Sequence, residues 1–230
     1  MNRNVLKIIA LISMIIDHVG IHLLDNNPYF RIIGRIAFPI FAFFIAEGLR
    51  YTRSKKRYVL SLSLFAIISQ IPYIFLYDEF KLNILFTFLI AIAFISLINL
   101  LKLESVKSNI FKFCSIIISL IVLTIGCFIA GDVFRIIEYH SFGILLILCF
   151  YYLKSYWKFI VASIVMLLMV LENCLLFGFE LSNLRQLFSL VSILMLIFYN
   201  QKKGKFNLKY LFYIAYPAHL FIIYFVTLII

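Results

Sequence analysis

A chain of 230 residues in which 65% of side chains are hydrophobic and only 13% charged is not built as a soluble domain, because such domains carry roughly 25% charged residues. Mean hydropathy is +1.09 and no polar stretch is long enough for a water-soluble module, so residues 1–230 read as one polytopic membrane domain. The net charge of +11 does not point to nucleic acid, since the basic residues lie in short loops between apolar runs, where membrane topology accounts for them.

A helix needs roughly 20 apolar residues to cross a bilayer. Nine runs approach that length: 5–24, 30–49, 58–77, 82–101, 111–130, 137–153, 158–176, 184–200 and 209–229, the sixth and eighth being short between their flanking charges. No small-residue cleavage site follows the first run, which is therefore expected to be retained rather than removed as a signal peptide. With the N-terminus inside, sixteen of the 21 Lys and Arg residues fall on the inner side, and the outer side keeps Arg31, Arg35, Lys81, Arg135 and Arg185. The acidic residues Asp25, Asp78, Glu79, Asp132, Glu138, Glu172 and Glu180 all fall outside. By the positive-inside rule this split predicts an all-α bundle of nine helices, N-in and C-out. There is no internal repeat, and turn signals such as Asp25-Asn26-Asn27-Pro28 and Gly131-Asp132 are short, which predicts tight connections.

The first run carries Asp17 beside His18, with Ser13 and His22 one turn away on either side. Ionisable residues are costly in a membrane and mark functional sites by default. Here they read as a general base with an orienting carboxylate, against a buried polar pair that only sets helix packing. His18 with His22 has no further cluster to complete a metal site. In the second run Arg35 lies at a depth comparable to Asp17, which predicts an interhelical ion pair. Pro39 breaks a backbone bond in mid-helix, and Arg31 reads as a snorkelling interface residue. Glu47, near the inner end, reads either as a site residue or as an interfacial partner of Arg50. The loop that follows holds Arg53, Lys55, Lys56 and Arg57, the densest basic run. It sets topology beside anionic lipid and is a candidate landing site for a phosphorylated cofactor.

The third run ends Ser69-Gln70-Ile71-Pro72, a polar, kinked spot, and the fourth begins with Asn83 and Thr87 on one face, placed to hydrogen-bond across helices. Asp132, Arg135, Glu138 and His140 form an outer cluster that reads as a solvated loop, against part of a substrate mouth. In the last run His219 lies near mid-membrane, either as a second proton carrier or substrate contact or as a packing hydrogen bond. Cys114, Cys127, Cys149 and Cys174 have no CxxC spacing and read as small buried hydrophobes.

Several of these blocks, in order and spacing, resemble the TraX family of integral membrane proteins: Ile16-Asp17-His18-Val19-Gly20, Gly34-Arg35-Ile36-Ala37-Phe38-Pro39, Glu47-Gly48, Ser69-Gln70-Ile71-Pro72, Asn83-Ile84-Leu85-Phe86-Thr87 and Tyr216-Pro217-Ala218-His219-Leu220. The resemblance covers the first ninety residues and the last helix, and residues 102–205 match only in hydrophobic character. It implies the chemistry of proteins that N-acetylate pilin subunits, and of the wider group of transmembrane acyltransferases. There, a histidine of an early helix acts in acyl transfer and a basic cytoplasmic surface receives acyl-CoA. By that resemblance His18 is expected to be the base or acyl carrier, with Asp17 as its partner and Arg35 as a site residue; Glu47, Gln70, Asn83 and His219 are expected in support on the reading of the residues above. Arg53, Lys55, Lys56 and Arg57 are expected to receive acetyl-CoA, with no metal. The expected function is an acetyltransferase of the cytoplasmic membrane. It moves an acetyl group from acetyl-CoA to an amine or hydroxyl of a surface acceptor, a peptide or pilin N-terminus or a glycan. The alternatives are a proton-coupled transporter, which no inverted repeat supports, and a non-catalytic assembly factor.

Overall fold

The computed structural model describes residues 1–77, 81–100, 137–205 and 209–230. The expected fifth span, over 111–130, lies outside those residues. So do Asp78, Glu79, Cys114, Cys127, Asp132 and Arg135. Among the described residues all regular secondary structure is helical, apart from a single isolated bridge between Leu82 and Ile137. Four helical runs are long and apolar enough to cross a membrane, Arg3–His22, Pro28–Tyr51, Lys55–Tyr77 and Trp157–Phe177, with shorter apolar runs at Ile84–Leu100, His140–Tyr152, Leu181–Ile197 and Leu211–Thr227. The chain is a multi-pass membrane protein.

Helix α1 (Arg3–His22) starts where the Asn2 side chain accepts the Val5 N–H. It ends in a turn through Asp25 and Asn26, both left-handed at φ 47° and 58°, a conformation that short polar side chains tolerate. Asn27 then caps α2 (Pro28–Gly34), with Pro28 in its first turn.

The second expected span is not one continuous helix. It stops at Gly34 and resumes as α3 (Ala37–Tyr51). The cause is Pro39, which offers no N–H to the Arg35 carbonyl four residues earlier. The junction tightens instead, Arg35 N donating to Ile32 O at 3.2 Å and Ile36 N to Ile33 O at 3.3 Å. Pro72, inside α4 (Lys55–Tyr77), and Pro217, inside α10 (Lys209–Thr227), leave their helices unbroken.

The bundle is organised around α6 (His140–Tyr152), whose residues Ser141 to Phe150 are all buried. A helix that is apolar on every side belongs in the interior. It packs against α3, α5 (Ile84–Leu100) and α7 (Trp157–Phe177). Its C-terminus is held by Arg50, whose guanidinium donates to the carbonyls of Phe150 and Tyr151. Arg50 is thereby drawn away from Glu47, contrary to the pairing considered from sequence. Glu47 meets Arg3 at 3.3 Å instead.

The lipid-facing surface is legible as stripes at helical spacing: Leu60, Leu64, Ile67, Ile71 and Phe75 on α4, and Ile160, Ile164, Leu167, Leu171 and Leu175 on α7, all exposed. The expected eighth span is also interrupted, into α8 (Leu181–Leu184), a 3₁₀ turn (Arg185–Ser189) and α9 (Leu190–Ile197). The turn carries Gln186, which reaches the α2–α3 break.

Candidate functional site

Helix α1 carries the site. At 3.6 residues per turn, Arg3, Lys7, Met14, His18 and Ile21 fall along one side of it, and all of them line cavities in the bundle. From Arg3 to His18 that stripe rises roughly 22 Å, at about 1.5 Å per residue.

Asp17, beside the stripe, is the most heavily engaged residue of α1. Arg35 Nη2 lies 3.3 Å from its Oδ1 and Arg31 Nη1 2.9 Å from its Oδ2. The ion pair expected from sequence is present, and Arg31, read there as snorkelling to the interface, is a second partner of the same carboxylate. The Arg35 side chain uses its whole fork. Nε donates to the Arg31 carbonyl at 3.2 Å and Nη1 to Gln186 Oε1 at 3.2 Å. The Arg31 carbonyl is available because the helix breaks there and the Arg35 N–H turns to Ile32. Gly34 makes the approach possible, since a Cβ at that position would overlap the Asp17 carboxyl group. Ser13 Oγ, one turn away, donates to the Ile33 carbonyl and ties the same two helices.

This corrects the role first given to Asp17. Adjacent helical residues do not face each other, and the two guanidinium groups draw the carboxylate away from His18. His18 turns to α10, where its ring meets that of His219 edge-on, with centroids 4.9 Å apart. Both histidines are buried, at 7% and 6% exposure. His219 Nδ1 lies 2.9 Å from the Ala215 carbonyl. A carbonyl only accepts, so Nδ1 carries the hydrogen and Nε2 of the neutral ring holds the lone pair. His219 Nε2 and His18 Nδ1 are both buried with no hydrogen-bond partner among the described residues. His22 packs edge-on to Tyr77 at 4.7 Å.

Around Asp17 and His18 lies a cavity of about 340 Å³, also lined by Arg31, Arg35, Tyr73, Tyr77, Lys81, Glu138, His140, Glu172 and Gln186. Glu138, first read as part of a solvated loop, faces into it and accepts from Tyr73 Oη at 2.7 Å. The preceding apolar residues gave no sign of this. Tyr139, left-handed at φ 58°, stacks on Phe38 at 3.7 Å and turns the chain so that Glu138 points inward. Gln70 and Asn83 are not part of the lining. Asn83 Nδ2 donates to Gln70 Oε1 and to the Ala66 carbonyl, both at 2.9 Å, and Gln70 Nε2 donates to the Lys81 carbonyl at 2.6 Å. They clamp the α4–α5 connection.

A second cavity, of about 1100 Å³, opens at the other end of α1 and is lined by Arg3, Lys7, Glu47, Arg53, Arg57, Lys203 and Lys205. Arg53 and Arg57 thus occupy the surface expected of them, while Lys55 and Lys56 are exposed outside its lining. The residues assigned to opposite sides by the charge pattern sort between the two cavities. Met14, Phe41, Ile84, Phe88 and Tyr216 line both, so the cavities meet at these five residues. Among the described residues no group of three or more His, Cys, Asp or Glu is placed to hold a metal.

The chain belongs to the TraX family, whose model, described as TraX protein, matches residues 2–227. The match includes residues 102–205, where the sequence blocks above gave no specific likeness. The chain is 26% identical over 257 aligned positions to the probable fimbrial assembly protein FimC, serogroup H1, of Dichelobacter nodosus, covering 96% of each chain. It is 37% identical over 78 residues to an uncharacterised protein of Rickettsia prowazekii (strain Madrid E), a match spanning 34% of this chain and 29% of the length of that protein. No solved structure matches.

Because Asp17 has two cationic partners, each arginine backs up the other. Arg31→Leu or Arg35→Leu alone is expected to cost little folded protein. The double variant leaves a buried carboxylate uncompensated and should cost about 3–5 kcal/mol, more than the two single losses added together. Thermal unfolding of the detergent-solubilised variants measures this, and strictly additive losses would show that the two arginines do not share Asp17.

Proposed function

From that family membership and the joined cavities, we propose that the protein is an integral membrane acetyltransferase acting on an amine or hydroxyl of a membrane or surface acceptor. The observation that carries the reading is the meeting of a cavity holding a buried histidine pair with a larger, strongly basic one. Acyl transfer between a water-soluble phosphorylated donor and an acceptor from the other side of a membrane needs that combination. The N-terminus and the basic cavity face the cytoplasm of the inner membrane in this reading, in a bundle of nine spans.

Acetyl-CoA supplies an acetyl thioester whose C–S bond is exchanged for a bond to the acceptor nitrogen or oxygen. Arg3, Arg53, Arg57, Lys203 and Lys205 offer charge-assisted hydrogen bonds to the donor's phosphates. His18 takes the proton of the acceptor amine or hydroxyl as that atom bonds to the acetyl carbon, and returns a proton to the departing thiolate. His219 braces the His18 ring from behind. The Arg31–Asp17–Arg35 cluster holds α1 and α2 in register, so that His18 faces the cavity.

A second reading, a non-catalytic pilus assembly factor, is favoured by the printed name of the Dichelobacter nodosus relative. The two readings separate on one measurement. Purified protein in liposomes, given labelled acetyl-CoA and a surface-peptide and glycan extract, transfers label in the first reading and none in the second.

In that assay His18→Ala is expected to lower transfer by roughly 10²–10⁴, the worth of a positioned base, and His18→Gln equally. Near wild-type transfer by His18→Ala, together with loss in His219→Ala, would move the base to α10. Arg53→Gln with Arg57→Gln should weaken acetyl-CoA binding at least tenfold, whereas Lys55→Gln with Lys56→Gln should change it little. Calorimetry in detergent compares the two pairs, and equal effects would place the phosphates elsewhere. Reporter fusions after Lys56, Lys154 and Lys203 should report cytoplasm, and fusions after Asn27 and Glu180 the outside. The opposite pattern would invert the orientation.

A further inference from the structure

Both cavities are lined with charged side chains, but the place where they meet carries none. Of the five residues lining both, Met14, Phe41, Ile84 and Phe88 are apolar and Tyr216 adds a single hydroxyl. That hydroxyl is buried and makes no well-formed hydrogen bond among the described residues, its polar neighbour being the backbone at Ile84. An acyl thioester has the same make-up, an apolar tail beside one hydrogen-bond-accepting carbonyl. With the donor's phosphates in the basic cavity and His18 in the other, the acyl carbon has to lie between them, at the waist.

The waist is braced from behind. Phe88 is 3% exposed and lies parallel to Phe38 at 6.3 Å. Tyr216 is 6% exposed, its ring 5.5 Å from that of His219. Close-packed walls of this kind do not yield to an extra methylene. We infer that Met14, Phe41, Ile84, Phe88 and Tyr216 form the acyl-length filter of the protein, seating a short acyl group and excluding longer ones. The inference rests on the acyl-transfer reading above and names the residues that set its donor range.

The test is the affinity of the full-length protein, purified in detergent, for acetyl-CoA and butyryl-CoA, read by calorimetry so that no acceptor is needed. One methylene in a shaped apolar pocket is worth roughly 10–200-fold. The wild type is therefore expected to bind acetyl-CoA at least tenfold more tightly than butyryl-CoA. Phe41→Ala should bring that ratio close to one, and Met14→Ala should do the same if the first variant fails to fold. Equal affinities in the wild type, or a preference that both variants leave intact, would overturn the filter. A protein that keeps the length preference and loses it in Phe41→Ala, yet moves no label to any acceptor, retains the filter and sinks the transferase reading alone.

Discussion

The structure depends on a carboxylate shared by two guanidinium groups inside a membrane bundle. An unpaired Asp17 would be among the most costly groups in the chain. Arg31 on α2 and Arg35 at its junction with α3 offset that cost, and α2 lies beside α1 only because Gly34 presents no side chain there. The broken second span is part of the same arrangement. Pro39 interrupts the backbone ladder at Arg35; the Arg35 N–H turns to Ile32, and the Arg31 carbonyl it leaves free accepts from the Arg35 side chain, which reaches Asp17 and Gln186 as well. The irregular backbone is tolerated at membrane depth because it lines a polar cavity rather than lipid.

Helix α1 ties this cluster to the rest of the molecule. One side of it holds Arg3 and Lys7 over the basic cavity, Met14 at the waist and His18 over the smaller cavity. Lys7 shows how a cation is accommodated along such a stripe, with Phe44 and Phe212 at 5.3 and 5.1 Å from its Nζ. Charge is thus graded along a single element, positive at one end and balanced at the other.

Much of this was legible in the sequence, for a physical reason. A charged group inside an apolar run needs a partner at the same depth, and counting residues from the loops identified Arg35 for Asp17. The histidine pair was legible only as two separate candidates, because the contact between His18 and His219 depends on how α10 leans on α1, which no local pattern encodes. Arg31 was misread because its position near a helix end allowed either water or Asp17, and depth alone does not choose between them. Glu138 was read as loop before cavity because the left-handed Tyr139 that turns it inward leaves no local pattern. The run of four basic residues did not show which would face the cavity: Arg53, just before α4, and Arg57, in its first turn, line it, while Lys55 and Lys56 do not.

The wall of the basic cavity is closed by backbone pairing between the first residues of the chain and the segment that precedes α10. Arg3 N donates to the Lys202 carbonyl and Asn200 N to the Met1 carbonyl, both at 2.9 Å, while Gly204, at φ 84°, lets the strand-like crossing pass over Asn4. Met1 N also donates to the Phe198 carbonyl, 197 positions away. Ribosomes add roughly 5–20 residues per second, so the first helix waits on the order of ten to forty seconds after its synthesis before its partner exists. During that interval Arg3 and Lys7 stand at the membrane surface without a cavity around them. The basic cavity is therefore closed late, and the His18–His219 pair later still, so a chain interrupted before residue 198 has α1 in place with neither compartment complete.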